Sequence, residues 1–277
     1  MVPKLRGAIQ VAGKSHTGQV RDHNEDFIDW DVDLGLIVLA DGMGGAKAGE
    51  VASELAVKTT MDHMRAGIDE TGSLENVAEG GSYTAAGELL QTALATANTT
   101  VFNVSQSQPQ YSGMGTTGVA VLFHDNSLSI AYVGDSRLYR FREGELGQMT
   151  EDHTMINELV KRGFYTPEQA RTAVNKNVLT RAIGVGDAVE IDVFEEPASA
   201  EDIYLFCSDG LSDMVEDEQI ASILRDADGN IDAGVEALVQ AANDNGGVDN
   251  VSVILVKVIK PYPAKRGWRQ RLVDWIF

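Results

Sequence analysis

Carboxylates at the ends of predicted strands are the residues of this sequence best suited to chemistry. Short apolar runs typical of β-strands end at Asp41, Asp135 and Asp209, and others begin directly after Asp26 and Asp249. Carboxylate oxygens are the ligands that Mg²⁺ and Mn²⁺ prefer in proteins. Two carboxylates ~4 Å apart repel each other by roughly 4 kcal/mol at an effective dielectric of about 20. Strand ends that meet would therefore favour bound divalent cations.

Strand pairing decides whether these carboxylates meet. Residues 27–31 and 35–40 are close in sequence and predict a hairpin, which places Asp26 beside Asp41. Antiparallel pairing of 203–207 with the final strand, 250–258, places Asp249 beside Asp209. A single Asp-Gly pair is more simply a turn. Two such pairs at one edge of the sheet predict a metal site.

Apolar residues recur at helical spacing in much of the remaining chain. The order of elements is strands, two helices, strands, a helical insert, strands, two helices and a strand. This order predicts layered α and β structure with mainly antiparallel strands. The predicted helices are Lys47–Arg65, Thr84–Val104, Glu218–Leu224 and Ala233–Ala242.

Composition excludes several classes of protein. The 277 residues carry a net charge of −20, which argues against nucleic acid as a partner. Six of the 22 basic residues but only one of the 42 acidic residues lie in 257–277, so an acidic body precedes a basic tail. The single cysteine, Cys207, excludes an intrachain disulfide and is expected in the core, and no Cys/His cluster suits zinc. No apolar run is long enough for a membrane span, and the N-terminus lacks a signal peptide, so we expect a cytoplasmic protein.

Seven short motifs occur in one order along the chain. Together they resemble the motifs of the metal-dependent Ser/Thr protein phosphatases of type 2C, over about residues 13 to 258. They are Arg21-Asp22-His23-Asn24-Glu25-Asp26, Asp41-Gly42-Met43-Gly44-Gly45, Gly115-Thr116-Thr117, Gly134-Asp135-Ser136-Arg137, Leu179-Thr180-Arg181-Ala182-Ile183-Gly184, Ser208-Asp209-Gly210 and Asp249-Asn250.

The resemblance implies an α+β fold, a β-sandwich of two antiparallel sheets flanked by α-helices. The catalytic domain would span 1–258, with a helical flap at about 154–178 beside the metal site. The resemblance also implies two Mn²⁺ or Mg²⁺ ions, or three. The implied roles are Asp41 bridging two metals, the Gly42 carbonyl binding one, Asp209 and Asp249 completing the second, Glu25 and Asp26 acting through water, Asp135 binding a third metal, and Arg21 holding the phosphate.

The implied activity is hydrolysis of phosphoserine and phosphothreonine in proteins by a hydroxide that bridges the metals. A bacterial stand-alone member of this family would act as a monomer and oppose a Ser/Thr kinase in signalling. Two alternatives are a pseudophosphatase that binds phosphoproteins without hydrolysing them, and a phosphatase for small phosphoesters. The presence of Arg21, Asp41, Asp135, Asp209 and Asp249 argues against the first.

Several positions depart from the family pattern or need a role. Met43 stands where many eukaryotic relatives carry the histidine assigned as general acid, and methionine cannot donate a proton. A metal-bound water is the preferred donor, and His23 is a second candidate that is more simply a solvated loop residue. His153 is expected to be structural. In the predicted flap, Ala173-Val174 replaces the usual His-Pro.

The tail, 259–277, lies beyond the resemblance. Trp268, Leu272, Trp275 and Ile276 fall on one face of a predicted helix, among basic residues. This pattern favours docking of 264–277 on an anionic membrane surface or in a partner's groove. Packing against its own acidic body and disorder are the alternatives.

Overall fold

Two antiparallel sheets pack face to face in the computed structural model, which describes residues 5–44, 48–71, 74, 76, 81–166, 169–170, 173 and 177–264. Within these residues, the first sheet has the order β1 (Ile9–His16), β11 (Val251–Val258), β10 (Ile203–Cys207), β7 (Arg137–Arg142), β8 (Glu145–Gln148). The second has the order β2 (Asp26–Asp31), β3 (Leu36–Met43), β5 (Gly118–His124), β6 (Ser127–Val133), β9 (Asp192–Pro197), and the short β4 (Gly115–Thr116) pairs with β3.

The strands are apolar on both faces because each sheet is covered on both sides. On β3, Ile37 and Leu39 enter the core between the sheets, whereas Leu36 and Val38 pack against helices. This alternation follows from the two-residue period of a strand. The core between the sheets is completed from the other sheet by residues such as Phe206.

Helices form the two outer layers. On the second sheet lie α1 (Ala48–Thr71) and α2 (Ala85–Ser107), and on the first lie α5 (Asp217–Asp226) and α6 (Ile231–Asp244). Two shorter helices lie near the candidate site, α3 (Met155–Lys161) and α4 (Asp209–Ser212). The side chains of Thr84, Thr154 and Asn230 accept backbone N–H groups at the N-termini of α2, α3 and α6, which satisfies donors that have no partner within a helix.

The predicted fold class is confirmed, and the predicted helices and strands are present, although α1 extends six residues beyond its predicted end at Arg65. Strands β1, β4, β7, β8 and β9 were not predicted. Half of the residues of β9, Asp192–Pro197, are acidic, and the strand lacks a clear apolar alternation. It is a strand because it pairs with β6, with Ile130 opposite Phe194. Pairing of this kind depends on tertiary structure.

The described chain ends on the body of the domain. Tyr262 is only 5% exposed and packs against Phe123. Its N–H donates to Asn126 Oδ1 and its hydroxyl to the Ser127 carbonyl, at the turn between β5 and β6. The helix predicted around Trp268 lies outside the described residues, so its packing and docking remain predictions. Among the helices that are described, none has the length and apolarity that crossing a bilayer requires.

Candidate metal centre

Asp26 and Asp41 are direct neighbours across the β2–β3 hairpin, as the sequence predicted. Asp26 is 7% exposed and its Oδ2 accepts a hydrogen bond of 2.8 Å from the Ser208 hydroxyl. Its other oxygen, Oδ1, is buried and has no hydrogen-bond partner among the described residues. Burial raises the pKa of Asp26 to about 6. A buried carboxylate oxygen without a donor is a fitting ligand for a cation or a cation-bound water.

The Gly-Thr-Thr motif fixes the backbone of Asp41. The Asp41 N–H donates to Thr117 Oγ1 at 2.9 Å, and the Thr116 hydroxyl donates to the Asp41 carbonyl at 2.7 Å. Thr117 Oγ1 also lies 2.7 Å from the hydroxyl of Ser136, in the Gly-Asp-Ser-Arg motif. These contacts join three of the sequence motifs, so the position of the Asp41 carboxylate does not depend on β3 alone.

Pairing of β10 with β11 brings Asp209 near Asp249. Cys207 pairs with Val253, and beyond this pair the Ser208 N–H donates to the Ser252 carbonyl. A β-carbon on Gly210 would lie 1.9 Å from the Asn250 carbonyl oxygen, so only glycine allows this close approach. The antiparallel pairing of these two strands is as the sequence predicted.

The carboxylates of the site perturb one another. Burial raises the pKa of Asp41 well above its usual value, and the nearby carboxylates of Asp26 and Asp209 raise it further. Burial and the charge of Asp135 do the same to Asp209. Burial raises the pKa of Asp135 itself to about 7. These shifts show that the site accumulates negative charge, which divalent cations would neutralise.

The carboxylates surround a space rather than forming a compact cage. Among the described residues, no three His, Cys, Asp or Glu side chains lie close enough together to enclose an ion. Cations held here would need further oxygen ligands, such as the Gly42 carbonyl or water. Gly42 suits this role because a β-carbon there would lie 2.1 Å from the Gly49 carbonyl oxygen and 2.5 Å from that of Glu25. The donor set of carboxylates and carbonyls fits Mg²⁺ or Mn²⁺.

Arg21 lies at the edge of this site. Its guanidinium donates to Asp249 Oδ2 at 2.7 Å, and about half of its side chain is exposed. The exposed part leaves guanidinium N–H groups open to a ligand from solvent. Its planar arrangement of donors suits two oxygens of a phosphate.

Asn250 holds the loop that carries Arg21 and Glu25. Its Oδ1 accepts the Glu25 N–H at 2.8 Å, and its amide donates to the carbonyls of Thr17 and His23 at 2.9 and 2.8 Å. Burial raises the pKa of Glu25. The sequence analysis quoted Asn250 only as part of a motif and missed this positioning role, which three contacts distant in sequence reveal.

His153 holds the turn that presents Asp135. Its Nδ1 accepts the Gly134 N–H at 3.1 Å, and Gly134 has a φ of +106°, which favours glycine. Because Nδ1 accepts, Nε2 carries the proton of the neutral ring and lies 3.2 Å from Asp192 Oδ2. Burial lowers the pKa of His153. These contacts agree with the structural role expected for His153.

Two polar residues near the site were not predicted. The Asn177 amide lies 3.1 Å from Asp213 Oδ2 and 3.5 Å from Asp209 Oδ2. Asp213 lies four residues after Asp209, a helical spacing that could have drawn attention to it. Asn177 had no comparable signal, because it belongs to the predicted flap. The flap is described only in part, and Val174 lies outside the described residues.

The remaining candidate residues lie at positions that do not suggest a catalytic role. Met43 ends β3 and pairs with Gly115. His23 is exposed in the loop between β1 and β2. Cys207 is fully buried in β10, and burial raises the pKa of its thiol to about 12, so it is a core residue as predicted. The structure does not identify a proton donor among these residues.

Comparison with known proteins gives a consistent picture. The family model described as Protein phosphatase 2C matches residues 12–247. The serine/threonine phosphatase stp of Listeria monocytogenes is 36% identical over 248 residues, covering 88% of this chain and 94% of that protein. The crystal structure of the serine/threonine phosphatase PstP/Ppp of Mycobacterium tuberculosis has a TM-score of 0.80 and 35% identity, covering 91% of this chain and 99% of the other. The catalytic domain of PstP in complex with two manganese ions has a TM-score of 0.76 and 36% identity, over 91% and 99% of the two chains.

Proposed function

Because the chain belongs to the protein phosphatase 2C family, we propose that it removes phosphate from phosphoserine and phosphothreonine in proteins. The observation that carries the proposal is the group of mutually repelling carboxylates around Asp26, Asp41 and Asp209. Such a group is costly without cations and useful with them. The manganese ions of the related PstP structure support the same reading.

The residues that would hold two cations come from strand ends. Asp41 and the Gly42 carbonyl would serve the first ion, with Asp41 shared by the second, and Asp209 and Asp249 would complete the second. Glu25 and Asp26 would contribute through water, and Asp135 would bind a third ion. When bound, Mn²⁺ or Mg²⁺ would activate water for direct attack on phosphorus and neutralise charge on the phosphoryl oxygens.

Arg21 would bind and orient the phosphate. Its guanidinium can give two parallel hydrogen bonds to two phosphate oxygens, which limits rotation of the substrate and aligns it for attack. Its contact with Asp249 lies at the edge of the carboxylate group, beside the space proposed for the phosphate. Met43 cannot supply the leaving-group proton, so water is the preferred donor.

A phosphoprotein substrate implies an enzyme that phosphorylates it. We therefore infer that the protein opposes a Ser/Thr kinase in bacterial signalling, and that it acts as a monomer in the cytoplasm, where such kinases draw on ATP. Coexpression with each Ser/Thr kinase of the same organism would test whether the phosphatase reverses the phosphorylation. Quantification of phosphosites in a strain that lacks the phosphatase would test the same pairing in the cell. Size-exclusion chromatography with light scattering would test the monomer.

The first experiment is hydrolysis of p-nitrophenyl phosphate with Mn²⁺, Mg²⁺ or EDTA by the wild type and Asp209→Asn. We expect activity that requires Mn²⁺ or Mg²⁺ and falls at least about 100-fold in the variant. Asp226→Asn, the same change at an exposed position of α5, is the matched control. Absence of activity with either metal would favour the phosphoprotein-binding alternative. Faster hydrolysis of sugar phosphates than of phosphopeptides would favour the small-phosphoester alternative.

A further inference from the structure

Thr117 lies between the two strands that lead to Asp41 and Asp135. It directly precedes β5, the central strand of its sheet, which pairs with β3 on one side and with β6 on the other. When both pairings are continued in the same antiparallel register, Thr117 falls opposite Asp41 on one side and opposite Gly134 on the other. A single residue therefore adjoins two of the carboxylate positions of the candidate metal centre.

On the β3 side, Thr117 holds Asp41 by two hydrogen bonds. The Thr117 N–H donates to the Asp41 carbonyl at 2.8 Å, and Thr117 Oγ1 accepts the Asp41 N–H at 2.9 Å. Thr117 is only 3% exposed, so water does not compete effectively for these bonds. The backbone of Asp41 is thus fixed to Thr117 on both sides of its α-carbon.

On the β6 side, the same side chain contacts the residues before and after Asp135. Thr117 Oγ1 lies 2.7 Å from the buried hydroxyl of Ser136. The rest of the Thr117 side chain packs against Gly134, where a β-carbon would lie 2.6 Å from Thr117 Cγ2 and 2.7 Å from Thr117 Cβ. The turn that presents Asp135 therefore rests on Thr117.

The pair of hydroxyls restrains the two sides together. Thr117 Oγ1 and the Ser136 hydroxyl share one hydrogen bond, in which either can donate. A shift of the Asp135 turn must break this bond or move Thr117, and a move of Thr117 displaces the backbone of Asp41. Because a buried polar group without a partner is costly, we expect the Asp135 turn and Asp41 to shift together.

We propose that Thr117 is a positioning residue that couples the two carboxylate positions, so that the turn carrying Asp135 sets how tightly cations are held at Asp41. Occupation of Asp135 by an ion then affects Asp41 by a route other than charge. The proposal rests on the proposed function, because it concerns the cations that the phosphatase would use.

The test is calorimetric titration of Mn²⁺ into the metal-free full chain, which requires no substrate. We expect Thr117→Val, which removes the hydroxyl but nearly keeps the shape, to bind Mn²⁺ about 10-fold more weakly than the wild type. Thr117→Ser keeps the hydroxyl and should stay within about 3-fold of the wild type. The matched control is Thr60→Val, because Thr60 is also fully buried and its hydroxyl donates to the Ala56 carbonyl within α1. Its Mn²⁺ affinity should equal that of the wild type.

A double-mutant cycle shows whether the coupling runs through the two hydroxyls. Ser136→Ala should weaken Mn²⁺ binding about 3- to 10-fold in the wild type. In Thr117→Val it should weaken binding less than about 2-fold, because the hydrogen bond that it removes is already absent. The charge of Asp135 also acts on Asp41 through space. None of these replacements changes a charge, so that effect is the same in all members of the cycle.

Folding is checked by circular dichroism and melting of each variant in EDTA. If Thr117→Val does not fold, Ser136→Ala and Thr117→Ser decide the question, since only the first should weaken Mn²⁺ binding by 3-fold or more.

Each outcome supports or overturns the coupling. Wild-type Mn²⁺ affinity in Thr117→Val, an equal loss in Thr60→Val, or an equal Ser136→Ala effect in both backgrounds overturns the coupling and leaves the phosphatase intact. A wild type that binds Mn²⁺ but hydrolyses neither p-nitrophenyl phosphate nor phosphopeptides overturns the proposed function, and the titrations still decide the coupling. A wild type that binds no Mn²⁺ overturns both.

Discussion

The Arg21 guanidinium donates to Asp249 Oδ2 at 2.7 Å, across 228 residues of sequence. One partner is the proposed phosphate-binding group and the other a proposed metal ligand. The contact therefore joins the two halves of the proposed site. A cation bound at Asp249 would compete with Arg21 for the same carboxylate and favour its turning toward a phosphate.

Replacement of Arg21 should weaken substrate binding. We expect Arg21→Ala to lower kcat/KM for a phosphopeptide about 10- to 100-fold, with KM raised, because a charged hydrogen bond to phosphate is lost. Arg21→Lys should recover part of this loss, since it keeps the charge without the planar pair of donors. Steady-state kinetics would measure both, with Arg6→Lys, an exposed arginine, as the control. Unchanged kcat/KM in Arg21→Ala would contradict the assignment.

Mn²⁺ should stabilise the wild-type protein, and replacement of Asp41 should abolish this stabilisation. In the absence of metal, Asp41→Asn removes one carboxylate from a group that repels itself, so the melting temperature should rise by about 2 to 4 °C. Mn²⁺ should raise the melting temperature of the wild type but not of the variant. Calorimetric scans with EDTA and with Mn²⁺ would test both effects, and Asp226→Asn should behave like the wild type. An equal Mn²⁺ shift in Asp41→Asn would argue against Asp41 as a ligand.

His153 should make stability depend on pH. Its folded pKa is lowered by burial from an ordinary value of 6.5, although the hydrogen bond with Asp192 acts in the opposite direction. The unfolded chain therefore takes up the proton first, and stability is lost as pH falls through 6.5 toward the folded pKa. We expect the free energy of unfolding of the wild type, minus that of His153→Gln, to be smaller at pH 5.5 than at pH 7.5. Urea titrations at both pH values would measure it, and a constant difference would contradict the burial of neutral His153.

The tail can be tested apart from the catalytic domain. Tyr262 and Ala264 contact the β5–β6 turn, so a truncation after Ala264 preserves those contacts. If 265–277 docks on an anionic surface, full-length protein should co-sediment with phosphatidylserine vesicles at least about 10-fold more than 1–264, because each basic residue near the surface contributes about 1 kcal/mol. Neutral vesicles are the control. Equal sedimentation of the two proteins would rule out membrane docking by this segment.

The sequence by itself determined the family, the fold class and most of the carboxylate site. Asp26, Asp41 and Asp209 each lie at an end of an apolar strand, and the β2–β3 pairing follows from the short connection between those two strands. The family resemblance is confirmed by the match over residues 12–247. The roles of the site residues and the boundaries of the domain and tail remain predictions.

Only the tertiary structure decided what surrounds those carboxylates. The support of Asp135 by His153, the ordering of the 17–25 loop by Asn250 and the approach of Asn177 to Asp209 join residues far apart in sequence. No local spacing encodes such contacts, because they depend on how sheets and helices pack. A cavity of about 480 Å³ lined by Asp135 and Asp209 has the same origin, since α3, the β6–β7 turn and α5 must come together before its lining exists. A strand end reveals a ligand, but only packing reveals the shape and charge of the space beside it.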